Sequence, residues 1–349
     1  MSAVTTRVCR LYGKGDIRIE RDPVAALEDG QVLVRIGAGG ICGSDLHYFQ
    51  DGGFGPIRVR EPIILGHEVA GTVEALGSAV AGLRVGQKVA LNPSRPCHQC
   101  RYCRESLFQH CLNMRFYGSA LRFPHEQGGF RDVIVADAAQ CMPVGDHVTL
   151  GEAACAEPLA VCLHARSQTD DLAGSRVLVT GAGPIGLLCV AVVRLASAAE
   201  IVVTDLQDAT LAVARRMGAT RTINMLNEAE ALESYNADKG TFDVAFECSA
   251  AAPAIKAAVL AVRPRGVIVQ AGVAGDTAVP LNLLVGKEIA FRGTHRFHAE
   301  YAEAVRLIDS GAIDVKPLIT HTLPLAEAAQ AFAIAGDRSK AVKVQLAFV

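Results

Sequence analysis

The sequence has no excess of charge of either sign: 34 Lys and Arg stand against 36 Asp and Glu, a formal net charge of −2. A chain so balanced exerts no general pull on nucleic acid or on a membrane surface. It also has no apolar run long enough to cross a bilayer, which takes about 20 residues. The longest, residues 187–196, is interrupted by Arg194. The opening stretch Met1-Ser2-Ala3-Val4-Thr5-Thr6-Arg7 has none of the basic, apolar and cleavage regions of a secretory signal. A disulfide framework is missing too. The 11 cysteines are odd in number, and Cys9, Cys141, Cys162, Cys189 and Cys248 are scattered through apolar contexts. Together these absences point to a reducing cytoplasm. No internal repeat and no low-complexity segment is found.

What the chain has is size, apolar content and glycine. At 349 residues it exceeds what one core usually serves, and 50% hydrophobic residues with 33 glycines fit an α/β protein with many tight strand-to-helix turns. The charge balance breaks once, over residues 84–122, where seven Lys or Arg face the single acid Glu105. That excess reads as a solvated face, with a field that draws in a small anion as the alternative.

Two textures divide the chain. Up to about residue 140, short β-branched runs such as residues 32–36, 69–73 and 133–135 are separated by glycine and proline turns, which predicts a β-rich, partly open barrel. From about 175 to 293, buried runs at 176–180, 201–204, 221–223, 242–246, 267–270 and 289–291 alternate with helical segments, which predicts a doubly wound parallel sheet of the Rossmann type. The tail has amphipathic helices near 300–310 and 325–335, then a strand at 341–346 expected to rejoin the first domain. The expected division is residues 1–155, with a cysteine lobe at about 95–113, then 156–294, then 295–349.

Three constellations carry chemistry. Cys97, Cys100, Cys103 and Cys111 place thiolates at spacings that wrap one tetrahedral zinc; four close its shell, so that site is structural. A nucleic-acid-binding zinc ribbon is the competing reading, but His98, Gln99 and Tyr102 offer a sparse reading surface. Next, Gly181-Ala182-Gly183-Pro184-Ile185-Gly186 follows a strand and opens a helix, with Asp205 at the end of the following strand. The glycines allow a tight turn and close approach to a pyrophosphate, and the carboxylate accepts from a ribose hydroxyl. Since Asp205 repels a 2′-phosphate, NAD is favoured over NADP. Upstream, Cys42, His67 and a carboxylate, Glu68 or Glu157, form a mixed set with room for an exchangeable ligand, as a catalytic zinc requires.

In this order, Gly66-His67-Glu68-x-x-Gly71-x5-Gly77-x-x-Val80, the four-cysteine lobe and the glycine turn resemble the zinc-dependent medium-chain alcohol dehydrogenases over nearly the whole chain. The run from Gly39 to Tyr48 and Ala156-Glu157-Pro158-Leu159 are similar to the polyol branch. The stretch from Met114 to Ala120, Phe123-Pro124-His125 and the C-terminal strand are similar to its sugar-acid dehydrogenases. The resemblance implies a GroES-like catalytic domain beside the Rossmann domain and a zinc surrounded by Cys42, His67 and Glu157, with Glu68 a competing or alternating ligand. It implies that Ser44 and His47 relay the substrate proton, and that Ala271, Val273, Thr294 and Arg296 border the nicotinamide. Tyr48, Arg115, Arg296 and Phe297 are then expected on the substrate side, with Arg115, Arg122 or Arg296 pairing a sugar-acid carboxylate oxidised at C5. Two departures stand out: Thr210 where relatives often have an arginine, and His295 where an aromatic residue is common. The competing functions are a neutral-polyol dehydrogenase, a threonine-type dehydrogenase and a non-enzymatic NAD-binding protein. A homodimer or homotetramer is expected, because the strand near 289–291 would lie at a sheet edge.

Overall fold

The structure, a computed structural model, describes residues 5–273 and 275–348, so the first four residues of the opening stretch lie outside the described residues. The chain begins with a hairpin of β1 (Thr5–Gly13) and β2 (Asp16–Pro23). A larger sheet is then built on β3 (Gln31–Gly40), whose alternating burial marks a strand with one face inward. β4 (Glu68–Leu76) and β6 (Val133–Asp137) both pair antiparallel with β3; β5 (Lys88–Leu91) extends the sheet from β4 and β7 (Cys141–Pro143) from β5. Helix α1 (Gly43–Asp51) starts at Cys42 and ends at Gly52, whose φ of 72° supplies the left-handed C-cap.

Helix α2 (Ala156–Arg166) leads into the second sheet. Its strands are β8 (Arg176–Thr180), β9 (Glu200–Asp205), β10 (Arg221–Asn224), β11 (Phe242–Glu247), β12 (Val262–Gln270) and β13 (Ala290–Gly293). All pair in parallel, in the spatial order β10-β9-β8-β11-β12-β13. The order reverses between β8 and β11, and the crevice beyond the strand ends at that switch is where such sheets take ligands. β8 and β9 are buried almost throughout, which is why they read as continuous apolar runs. β12 begins earlier than its apolar core suggests. Arg263-Pro264-Arg265 reads as a turn but forms an irregular start to the strand, with a register shift against β11 and Arg265 at φ 61°. Helix α3 (Pro184–Leu195) rises from the turn after β8, with Pro184 in its first turn, and α4 (Leu281–Lys287) precedes β13.

The tail forms α5 (Glu300–Asp309), β14 (Ile319–Pro324) and β15 (Lys343–Ala347). β15 pairs with β14 in parallel and with β3 antiparallel, Gln345 opposite Gly40, so the C-terminal strand does return to the first sheet. One apolar cluster runs from Cys103 and Met114 through Leu159 and Val190 to Phe297, joining the cysteine lobe to the parallel sheet. Among the described residues no helix is long and apolar enough to cross a membrane.

Candidate metal and cofactor site

Cys42 caps α1, and His67 and Glu68 lie at the start of β4, so two elements that flank β3 deliver three side chains to one point. The Cys42 sulfur, a His67 ring nitrogen and a Glu68 carboxylate oxygen lie within 4.8 Å of one another. β3 makes room: a Cβ on Gly40 would fall 2.0 Å from Glu68 Oε2. A thiolate, an imidazole and a carboxylate form a donor set that fits zinc. Asp45 organises it from behind. Fully buried, it accepts from the backbone N–H of Cys42 at 3.0 Å and of Gly66 at 3.3 Å, and its Oδ1 lies 3.8 Å from His67 Nδ1. Burial pulls the His67 ring down, but Asp45 and then Cys42 outweigh it and the net shift is upward.

Two carboxylates compete for the third position, beside Cys42 and His67, and their surroundings differ. Glu68 is clamped by Lys343 of β15, whose Nζ donates to both carboxylate oxygens at 2.7 Å and to the Ile41 carbonyl at 3.2 Å. Glu157 of α2 is buried, lies outside the 4.8 Å cluster, and is held up at about 7 by burial, with His67 and Glu68 close enough to act on its charge. Asp45 and Lys343 were missed in the sequence. Asp45 had a signal, an acid three residues after a helix-capping cysteine; Lys343 had none beyond a lysine inside an apolar strand.

Cys97, Cys100, Cys103 and Cys111 likewise bring their sulfurs within 4.8 Å of one another. The backbone N–H groups of Cys97 and Asn113 donate to the Cys111 sulfur at 3.2 and 3.3 Å, the support a metal-bound thiolate accepts. Its rings, Phe108 and His110, lie against His298 and His295 beyond β13.

At the switch point a cleft of about 460 Å³ is lined by Gly181, Gly183, Asp205, Gln207, Ser249 and Arg338. Gly181 has φ 86°, and a Cβ on Gly186 would sit 1.8 Å from the Gly181 carbonyl, so the turn tolerates no side chain where a dinucleotide must come close. Asp205 accepts from Ala182 N–H at 2.6 Å and from Leu206 and Gln207 N–H at 2.8 and 2.9 Å. It therefore anchors the glycine turn as well as facing the cleft. Ile185 is half-buried, its carbonyl accepting from the Cys162 thiol at 3.3 Å. Ala271, Val273 and Thr294 follow the ends of β12 and β13, where the side-chain oxygens of Gln270 and Thr294 are buried without a partner. Thr210 is buried, its hydroxyl donating to the Gln207 carbonyl at 2.8 Å.

The remaining expected residues fall into two groups. Ser44 is half-buried and His47 exposed on α1, with His47 Nδ1 3.2 Å from Asp51. Tyr48 is buried, its hydroxyl accepting from Ala120 N–H at 3.1 Å. Arg296 lays its guanidinium 4.4 Å over Phe116, whose ring lies 5.5 Å from that of His67; Phe297 is buried against Phe116 and Tyr301. Arg115 is not brought to this group. It pairs with Glu126 at 2.8 Å and lines a separate cleft with Arg95 and Arg122, beside the cysteine lobe.

A donor set that fits zinc and a glycine-turn cleft that fits a dinucleotide, carried on one chain, define a class: dehydrogenases that move hydride between an alcohol and a nicotinamide. Comparison with known proteins narrows it. Residues 28–146 match the alcohol dehydrogenase GroES-like domain and residues 184–310 the zinc-binding dehydrogenase family. The chain is 41% identical to L-idonate 5-dehydrogenase (NAD(P)(+)) of Escherichia coli K12 over 99% of both chains. It is 34% identical to human sorbitol dehydrogenase, covering 92% of this chain and 90% of that one. The crystal structure of the Escherichia coli L-idonate 5-dehydrogenase matches with a TM-score of 0.95 at 40% identity, covering 99% of each chain. The chain belongs to the zinc-dependent medium-chain alcohol dehydrogenases, and it is an oxidoreductase that uses zinc and NAD or NADP.

Proposed function

We propose that the enzyme oxidises a sugar acid, L-idonate, at C5 to 5-keto-D-gluconate, and reduces the ketone in the reverse direction. The observation that carries this is Arg296. Its guanidinium is half-buried over Phe116 beside the metal cluster, and among the described residues it donates no hydrogen bond and pairs with no acid. A cation so placed calls for an anion, and a substrate carboxylate provides one in bidentate geometry. The activity of the 41% identical relative supports the same substrate.

Cys42, His67 and a carboxylate, Glu157 or Glu68, would hold a zinc ion, which would supply the Lewis acidity that eases loss of an alcohol proton, and a dinucleotide in the cleft would serve as hydride acceptor. The chain's own residues do the rest. Ser44 passes the released proton on, since a hydroxyl both accepts and donates, and His47 hands it to solvent from its exposed place on α1. Tyr48 and Phe297 wall the substrate side, and Arg296 fixes the acid end so that C5 faces the cofactor. Gly181, Gly183, Ile185 and Gly186 receive the pyrophosphate, Asp205 the adenosine ribose, and Ala271, Val273 and Thr294 the nicotinamide. Cys97, Cys100, Cys103 and Cys111 would hold a second zinc, which would brace the lobe.

Around this core we place the catalytic domain at residues 1–155, the dinucleotide domain at 156–294 and the returning tail at 295–349. The 11 unpaired cysteines support a reducing cytoplasm. A homodimer or homotetramer is proposed from the open edge at β13. The second reading is a neutral-polyol dehydrogenase, favoured by the likeness to sorbitol dehydrogenase. Initial rates of NADH formation across L-idonate, other aldonates, sorbitol and xylitol separate the two. L-idonate should give the highest kcat/KM, and Arg296→Ala should cut it about 10- to 100-fold, the loss of one charged hydrogen-bonded contact. Preference for the neutral polyols, or equal losses on acid and polyol, removes the sugar-acid reading.

A further inference from the structure

Between β13 and α5 the chain runs through residues 294–299 with no helical or strand ladder; its backbone is tied at the ends, Thr294 N–H to the Gln270 carbonyl at 3.3 Å and His298 N–H to the Glu300 carboxylate at 2.9 Å, and ring contacts hold what lies between. At its centre Arg296 has φ 53°, a left-handed conformation that L side chains rarely adopt. Such a conformation persists only where the surroundings over-determine it. On the inner side the surroundings are Phe116 under the guanidinium and the buried Phe297. On the outer side they come from the cysteine lobe. The Phe108 ring lies 4.0 Å from the ring of His298, and the His110 ring stacks on His295 at 5.8 Å and 22°. The two gripped histidines flank Arg296 in sequence, one residue before and two after. Behind the grip, His98 lies 5.4 Å from Phe108 and Tyr102 6.2 Å from His110, so the clasping rings are themselves braced within the lobe.

We infer that the four-cysteine lobe is a positioning element for the substrate site: through Phe108 and His110 it holds the 294–299 segment so that Arg296 stays over Phe116. Phe108 and His110 are positioning residues, since they act only through His298 and His295. The lobe thereby tunes selection of the acid substrate as well as its own fold. This use of the lobe rests on the reading of Arg296 as the carboxylate anchor, whereas the clasp itself does not.

The test compares the zinc-loaded, full-length enzyme with Phe108→Ala, His110→Ala, His110→Phe, Arg296→Ala and the Phe108→Ala/Arg296→Ala double variant. Hydrogen exchange read by mass spectrometry should accelerate at least about tenfold across residues 294–299 in the two alanine clasp variants and stay unchanged in β8 and β9. Zinc content and NADH affinity should hold. KM for L-idonate should rise about tenfold with kcat changed less than about threefold, as expected when binding is lost without loss of chemistry. His110→Phe, which keeps a stacking ring, should restore both readings. In the Arg296→Ala background Phe108→Ala should add less than about a twofold further rise, because the two act through one contact. Unchanged exchange over 294–299 overturns the clasp, and an equal KM rise with and without Arg296 overturns its action on the substrate through that residue. Accelerated exchange together with an Arg296→Ala enzyme that handles L-idonate normally leaves the clasp standing and overturns the substrate reading instead. Should Phe108→Ala fail to retain zinc, the contrast between His110→Ala and His110→Phe decides the matter.

Discussion

Lys343 and Glu68 are 275 residues apart in sequence and 2.7 Å apart in space, both with side chains only 2% exposed. A buried pair of this kind adds little over an apolar pair, but breaking it strands a charge in a poor solvent. Lys343→Met should therefore cost about 3–5 kcal/mol in urea unfolding. Adding Glu68→Gln should recover a large part of that loss by removing the stranded charge. A single variant as stable as the parent enzyme would show that water reaches the pair. The contrast with Cys42 and His67 explains what a sequence discloses at this scale. A candidate donor announces itself by its residue type and spacing, so the grouping of Cys42 with His67 was legible, as were that of the four lobe cysteines and the glycine turn. Lys343 reaches Glu68 only because β15 returns to β3, a register no local pattern encodes. Arg115 shows the reverse: its residue type suited a carboxylate, but Glu126 already holds it.

At the scale of elements, the parallel sheet was legible through strands such as β8 and β9, where burial on both faces leaves nearly unbroken apolar runs. The start of β12 was not, since Val262 pairs with β11 before Arg263-Pro264-Arg265 breaks the register and the pairing resumes at Val267. The junction of α5 with α2 was also hidden, and it carries a pH dependence. Glu300, in the first turn of α5, accepts from His298 N–H at 2.9 Å and lies 2.8 Å from His164 Nδ1 of α2. Burial pushes its carboxyl up, but the His164 ring and the His298 N–H outweigh that and hold it at about 2, below the ordinary 4.5. A carboxylate held down in the folded state stabilises it above the unfolded value, and the contribution fades as pH falls from 4.5 toward 2. Glu300→Gln should lower stability at neutral pH by on the order of 1 kcal/mol, the shift being discounted for partial solvent screening. Thermal unfolding of the two proteins should converge between those pH values. A gap that stays constant down to pH 2 would mean that the hydrogen-bond geometry matters and the charge does not.

For the whole molecule, the spatial order of the parallel sheet leaves β13 with one side unpaired among the described residues. Around that edge apolar side chains are exposed: Phe291 lies on the strand itself, and Leu281 and Val285 lie on α4 just before it. An open strand edge invites pairing, and proteins that leave one bare blunt it with charge or proline. Here the edge carries only Arg292, and its guanidinium donates to the Gln168 carbonyl. A second copy related by a two-fold axis would run β13 antiparallel to itself, merge the two sheets and cover Val285 and Phe291 on both sides at once. In such an interface a single substitution acts twice, so one buried charge per chain becomes two facing each other. Val285→Asp should therefore weaken self-association by far more than a surface aspartate does, turning the enzyme monomeric at micromolar concentration in sedimentation equilibrium. The same aspartate placed at Val85, exposed in the loop between β4 and β5 of the first sheet, should leave the mass unchanged. A parent enzyme that sediments as a monomer, or a Val285→Asp variant that keeps the parent's mass, would mean that the edge strand stays open in solution and the apolar patch beside it meets something other than a second copy.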